Sequence, residues 1–392
     1  MNGGWPIIQL SECCDIVSGS TPRREIAEYW HGDIPWVTPK DISKLDGAKV
    51  LEDAPEYITE AGYKACSTTM LPKGTVLFSS RAPIGLVAVA GRAMCTNQGF
   101  KSFVPHKNVS SDYLYHCMKW MAPSIAAMGN GATFKEVSKT TMERVSIPLP
   151  PLKEQQRLAA IMDKADSICR KRAETISLLD ELLGSTFLDM FGDPVNNHRC
   201  WPLKALGDVC SVQLGKMLSS KSKTGVNSKK YLRNANIRWR HIDFSDVLEM
   251  DFSPVEQKKF SLKNGDLLVC EGGEVGRCAI WEKENQEYYY QKALHRIRVE
   301  KKLICPEYLQ EYLYWMSLLG GLIKASSEVT FSHLTAEKIK TLQVPVPPIE
   351  LQKKFIGKYN KILAIRNKLN NLLDQNNNLF QSVVQRAFKG EL

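Results

Sequence analysis

The chain repeats itself once, and that repeat limits what it can fold into. Trp5-Pro6-Ile7 stands near the start, followed by Leu10, Cys14 and Gly19; 196 positions later come Trp201-Pro202-Leu203, Leu206, Cys210 and Gly215. Trp36-Val37-Thr38 faces Tyr231-Leu232-Arg233, and Leu71-Pro72-Lys73-Gly74 faces Leu262-Lys263-Asn264-Gly265. Asp112-Tyr113-Leu114 matches Glu307-Tyr308-Leu309, and Thr133-Phe134 matches Thr330-Phe331. Each half closes alike: Ile147-Pro148-Leu149-Pro150-Pro151-Leu152 precedes Gln155, and Val344-Pro345-Val346-Pro347-Pro348-Ile349 precedes Gln352. One duplication is not a solenoid, which needs three or more short units. It means two copies of one domain, each with a tail, in a 392-residue chain too long for a single ordinary core.

The tails predict long helices. Each begins at a Pro-Pro pair, and proline suits a helix start but not its interior. In the first tail, apolar or small residues recur at Leu158, Ile161, Ala165, Ile168, Thr175, Leu179 and Leu182; in the second, at Ile362, Ile365, Leu369, Leu372, Asn376, Leu379 and Val383. Alternating steps of three and four form the seam of a coiled coil. A helix of about 38 residues spans about 57 Å, and its stripe needs cover, so the two helices are expected to pack on each other. Phe191-Gly192-Asp193-Pro194 stops the first. Asn376 reads either as a solvated layer or as a polar pin of the helix register. Ahead of each tail, strand-like runs such as Val76–Phe78 and Leu267–Val269 alternate with helical stretches at 111–121 and 306–319.

Composition narrows the partner. The formal net charge is +10, from 52 Lys and Arg against 42 Asp and Glu, which suits a polyanion because neutralised phosphates release counterions. No apolar run reaches membrane-span length, the first residues resemble no secretory leader, and the eleven cysteines contain no CxxC pair to build a zinc site. A cytoplasmic protein with reduced thiols, no membrane and no metal is expected. Glu271-Gly272-Gly273-Glu274-Val275-Gly276-Arg277 lacks the Lys-Ser/Thr ending of a phosphate loop and reads as a turn between strands. Neither Pro-Pro pair is followed by the aromatic residue that a flipped-base methyltransferase loop requires.

The segment from Lys216 to His241 has many cations and no acid: Lys216, Lys221, Lys223, Lys229, Lys230, Arg233, Arg238 and Arg240, interleaved with Ser and Asn. Together with Asn236 it is the leading candidate for DNA contact. Its counterpart in the first half supplies Arg23, Arg24, Lys40 and Lys44; Ser80, Arg81, Asn97 and Gln98 are further candidates there. Gln291, Lys292 and His333 complete the set in the second half. Thr133-Phe134 and Thr330-Phe331 recur in both copies and so are expected to build the domain, because residues that read a sequence should differ between copies.

Taken together, the Trp-Pro openings, the Pro-Pro-Leu/Ile closings, Leu152-Lys153-Glu154-Gln155 and the linker Met190-Phe191-Gly192-Asp193-Pro194 resemble the specificity subunits of type I restriction–modification systems. The second copy departs at Glu350-Leu351-Gln352. The resemblance implies an α+β fold of two similar mixed target-recognition domains, at 1–150 and 192–347, separated by long spacer helices at 151–191 and 348–392 that form an antiparallel coiled coil with an internal pseudo-twofold repeat. It implies a non-catalytic subunit that reads a two-part double-stranded DNA target. Two methyltransferase subunits would dock on it for adenine-N6 methylation, joined in restricting systems by two restriction/translocase subunits. S-adenosylmethionine, ATP and Mg would sit on those partners and no cofactor on this chain. The residues alone also allow a stand-alone DNA-modifying enzyme or a coiled-coil scaffold that meets no DNA.

Overall fold

The computed structural model describes residues 4–130, 135–219, 225–284, 287–324 and 334–392. They fall into two units: the first holds residues 1–175 with 369–392, the second 176–368. Four helices matter below: α1 (Ser111–Ala127), α2 (Leu152–Phe191), α3 (Pro306–Leu318) and α4 (Ile349–Lys389).

The unit boundaries cut α2 and α4, not the linker between the copies. Unit 1 takes the first half of α2 and the last turns of α4, where Val384, Ala387 and Phe388 enter its core beside Tyr113, Leu158 and Met162. Phe388 meets Tyr113 edge-on at 5.6 Å and stacks on Trp120 at 4.8 Å. Unit 2 takes the end of α2 and the start of α4, and Phe187, Phe191, Phe355 and Tyr308 interlock there at 4.8–5.8 Å. Burying a Phe of this kind is worth roughly 2–3 kcal/mol, so each copy is stabilised by the far end of the other copy's helix. The two repeated Trp-Pro openings serve that exchange. Trp5 Nε1 donates to the Ala387 carbonyl at 2.7 Å, and Trp201 Nε1 to that of Phe191 at 2.9 Å.

Within unit 1 the helices run antiparallel. Arg172 donates to the Leu372 carbonyl, while Arg157, earlier on α2, donates to that of Leu392, beyond the end of α4. One stripe of covered positions on α2 runs through Gln155, Leu158, Met162, Ala165, Cys169, Arg172, Ile176, Leu179, Leu183, Phe187 and Met190. The matching stripe on α4 runs through Gln352, Phe355, Tyr359, Ile362, Arg366, Leu369, Leu373, Asn376, Phe380, Val384 and Ala387. Every pair is 197 residues apart, in the three-and-four rhythm of a coiled coil. Several seam assignments from the sequence shift by one residue. Ile161, Ile168, Leu182, Ile365 and Leu379 are exposed, and their neighbours Met162, Cys169, Leu183, Arg366 and Phe380 take the covered places. Leu158 and Ile362 are buried, and Leu179, Leu369, Leu372 and Asn376 are half-buried.

The globular parts share one topology. In unit 1 the sheet order is Cys14–Ser18, Lys101–Pro105, Val76–Phe78, Val87–Ala90, all antiparallel, with Val50–Leu51 added parallel at the edge. In unit 2 the order is Cys210–Leu214, Leu294–Val299, Asp266–Cys270, Cys278–Trp281. A second small sheet centres on Trp30–Val37 in unit 1 and on Ser228–Leu232 in unit 2, each with one antiparallel and one parallel neighbour. Strand Asp266–Cys270 is buried throughout: Leu267 and Val269 face the core containing α3, Leu268 and Cys270 the core under the second sheet. This side-to-side alternation is the period of a strand covered on both faces. Within the cation-rich stretch from 216 to 241, Ser228–Leu232 is thus the middle strand of three.

Gln155 and Gln352 close the two domains identically. The Gln155 side chain accepts from the Ser110 amide and donates to the carbonyls of Asn108 and Pro150. That of Gln352 accepts from the Cys305 amide and donates to Leu303 and Pro347. Tyr113 and Tyr308 hydroxyls donate to Pro148 and Pro345. Among the described residues no helix is long and apolar enough to cross a membrane.

Candidate nucleic-acid interface

Five segments of the chain meet in each unit, held by the same four backbone hydrogen bonds. In unit 1, Ser20 N donates to Thr96 O, Asn97 N to Val37 O, Ser80 N to Gly99 O and Val137 N to Ser80 O, at 2.7–3.0 Å. In unit 2, Lys216 N donates to Tyr290 O, Gln291 N to Leu232 O, Glu271 N to Ala293 O and Leu334 N to Glu271 O, at 2.7–3.0 Å. The close approach explains two glycines: a Cβ on Gly19 would lie 2.1 Å from the Asn97 carbonyl oxygen, and one on Gly215 would lie 2.3 Å from that of Gln291. A side chain fits at neither place.

The scaffold repeats but the side chains on it do not. Ser20 faces Lys216, Thr38 faces Arg233, Ser80 faces Glu271, Asn97 faces Gln291 and Gln98 faces Lys292. Gln98 and Lys292 are exposed at the same corner, beside half-buried Asn97 and Gln291. Gln98 accepts from Thr21 Oγ1, and Asn97 Oδ1 accepts from the Gly99 amide, shaping the turn. Lys40 and Arg81 flank the cluster from its other segments: Pro39 lies against the Gly99 position, and Ser80 hydrogen-bonds Gly99. The register position of Lys101, which pairs with Glu136 at 3.3 Å, is taken in unit 2 by His295. Burial pulls the pKa of His295 below the usual imidazole value.

Of the sequence candidates, four point inward. Ser80 is fully buried and its hydroxyl donates to Gly99 O. Lys216 lies under Phe252, donating to the Asp251 carbonyl and to Glu256. Asn236 accepts from the Arg233 amide and donates to Asp243 O and Asp246 O. Arg240 is paired with buried Glu311. These four hold the domain together, so their signals in the sequence were structural ones.

Others are exposed or half-buried but engaged: Arg24 with Glu56 and across the face of Trp30 at 4.0 Å, Lys229 with Glu287, and Arg233 with Asp246. Arg23, Lys40, Arg81, Lys230, Arg238 and Lys292 have no acid partner among the described residues, which leaves their charge for a polyanion. His333, Lys221 and Lys223, with Thr133-Phe134 and Thr330-Phe331, lie outside the described residues. Glu271, which the sequence offered only as part of a turn, belongs to the cluster, as does Asn234, one of the asparagines interleaved with the cations, whose amide donates to Gly272 O. Pairing Ser80 with Glu271 along the repeat is the signal that finds the first.

Asn236 yields a direct check. Asn236→Ala orphans one amide and two carbonyls, and each buried unmet group costs about 1–3 kcal/mol. Thermal unfolding should show a clear loss of stability. An unchanged melting temperature would mean that Asn236 does not hold the turn.

Comparison with known proteins shows the family and the fold. The family described as type I restriction modification DNA specificity domain matches twice, at residues 2–178 and 199–375. The type I restriction enzyme MjaIX specificity subunit of Methanocaldococcus jannaschii is 28% identical over 90% of this chain and 85% of its own length. The EcoKI specificity subunit of Escherichia coli is 24% identical over 99% of this chain and 89% of its own. Among solved structures, the S subunit of the type I system of M. genitalium superposes with a TM-score of 0.61 at 13% identity, covering 99% of this chain and 96% of that one. A chain from a study of type I system assembly and conformational transition also gives 0.61, at 18% identity, covering 99% and 98%.

Proposed function

The chain belongs to the family of type I restriction–modification DNA specificity domains, and on that premise we propose that each unit reads one half of an asymmetric two-part DNA target on behalf of docked methyltransferase subunits. The observation that supports this reading most is the cluster of five segments, built twice on matching backbone hydrogen bonds and furnished with different side chains. A duplicated scaffold with unlike surface residues suits two readers of unlike half-sites. Gln98, Lys40 and Arg81 in unit 1, and Lys292 and Gln291 in unit 2, are the residues assigned to contact; amides pair well with adenine and guanidinium with guanine. Arg23, Lys230 and Arg238 supply phosphate contacts.

The reaction chemistry is assigned to the partners: two methyltransferase subunits that modify adenine at N6 with S-adenosylmethionine, and in restricting systems two motor-nuclease subunits using ATP and Mg. Leu178, Leu182, Ile365 and Leu379 are half exposed or more, which leaves apolar surface on the long helices for such docking.

N6-methyladenine mapped in host DNA with and without this gene tests the proposal. A methylated two-part motif with a fixed gap is expected to vanish on deletion. A methylome unaffected by deletion would contradict it. Methyl transfer by the purified chain alone would favour a stand-alone enzyme, and lack of any DNA binding with the methyltransferase present would favour a scaffold.

A further inference from the structure

The cations of the segment 216–241 that turn inward are not spread at random. Ile237–Arg238 and His241–Ile242 form a short hairpin whose tip is Trp239-Arg240. Arg240 takes the left-handed backbone conformation, φ +63°, which a residue without strong outside contacts avoids. Those contacts are present. Its Nε and Nη2 reach the two oxygens of Glu311 on α3 at 2.5 and 2.6 Å, and Glu311 is fully buried. Its Nη1 lies 3.6 Å from Asp180 on α2, and its guanidinium sits 4.3 Å above the Tyr314 ring. Asp180 in turn pairs with Arg366 on α4 at 3.0 Å. Beside this chain, Gln310 accepts from the Ile280 amide and donates to the Tyr359 hydroxyl of α4 at 2.6 Å. Burial pushes the Glu311 carboxyl above its ordinary range even with Arg240 drawing it down.

Unit 1 meets its helices differently. The position equivalent to Glu311 is His116, 195 residues earlier, which bonds Asp163 of α2 at 2.8 Å; Lys49 bonds the other oxygen of Asp163 at 2.7 Å and also Asp112. Both domains are therefore tied to the long helices by directional polar contacts, fully buried at Glu311 and half-buried at Asp163, where apolar packing would have served stability as well or better. What a two-pronged ion pair adds is a defined angle.

We propose that Arg240 is a positioning residue which, through Glu311, Asp180 and Arg366, fixes the orientation of the second recognition domain on α2 and α4 and thereby sets the tolerance for the gap between the two half-sites. The proposal rests on the two-part reading above. Arg240 touches no base; it limits how far the domain swings on its helices, so its loss lets the domain reach half-sites one base pair nearer or farther.

The test uses the full chain with its methyltransferase subunits and DNA duplexes carrying the mapped half-sites at the native gap and at gaps one pair shorter and longer. The wild-type chain should prefer the native gap by about a hundredfold, since a wrong gap forfeits the base contacts of one half. Two variants are compared. The first replaces the pair by apolar residues of similar volume, Arg240→Met with Glu311→Leu, an exchange that buried ion pairs tolerate well. The second, Arg240→Lys, keeps the charge without the fork. Both should hold native-gap affinity within about threefold, while their preference over the shifted gaps falls tenfold or more. A merely destabilising change would weaken all three duplexes alike. Unchanged gap preference in either folded variant overturns the proposal. A wild-type chain indifferent to the gap overturns the two-part reading beneath it.

Discussion

Replacing Arg81 and Gln98 together by Ala is expected to relax one half of the two-part target and leave the other half as strict as before. Both residues stand at the unit 1 cluster: Gln98 is exposed at the turn that follows Thr96, and Arg81 adjoins buried Ser80, whose hydroxyl fixes that turn. Neither is spent on an acid among the described residues, unlike Arg24 with Glu56. A good two-bond contact to a base is worth about 1–3 kcal/mol, so the pair should lower affinity for the preferred half-site on the order of a hundredfold. Discrimination at its bases should fall with it. The mirror experiment, Lys292→Ala with Gln291→Ala, should do the same to the other half alone. Methylation of a library randomised in both halves measures this in one assay. If either double variant blurs both halves equally, the clusters are not separate readers. If it blurs neither, they face no bases.

The cluster also shows what a sequence can and cannot disclose. The repeat was legible because Trp-Pro and Pro-Pro are rare, rigid markers, and the offset between copies led straight to equivalent positions such as Trp36 and Tyr231. The direction of side chains was not legible. Between 216 and 241 no acid occurs, so the cations look free. Their partners come from elsewhere: Glu256 for Lys216, Glu287 for Lys229, Asp246 for Arg233 and Glu311 for Arg240. Local charge counting fails because the fold, not the chain order, chooses who is adjacent. Helix seams fail for a milder reason. Where two apolar residues stand side by side, as in Leu182-Leu183 or Ile161-Met162, periodicity fits either, and a shift of one residue rotates the stripe by only about 100°. At Arg366 the seam admits a cation because Asp180 meets it, and no hydropathy pattern reports that.

Gln352→Ala should unfold the second unit more readily than any surface change, and the same substitution at Gln155 should do so for the first. Each side chain is almost wholly buried, 0% and 1% exposed, and each satisfies one amide and two carbonyls just where a long helix leaves its domain. Truncation leaves three groups unmet at roughly 1 kcal/mol or more apiece, a total of about 3 kcal/mol. For units of this size that lowers Tm by about 6–12 °C. Gln352→Glu separates shape from bonding. It keeps the volume but its carboxylate cannot donate to Leu303 and Pro347, and it turns two attractions into repulsions while burying a charge. It should therefore cost at least as much as Ala. Because the two glutamines lie in different units with no shared partner, their losses should add when combined. Calorimetry of the single and double variants decides the matter. A Gln352→Glu chain as stable as the wild type would mean that the side chain merely fills space, and that the match between the two domain closures is one of volume and not of hydrogen bonding.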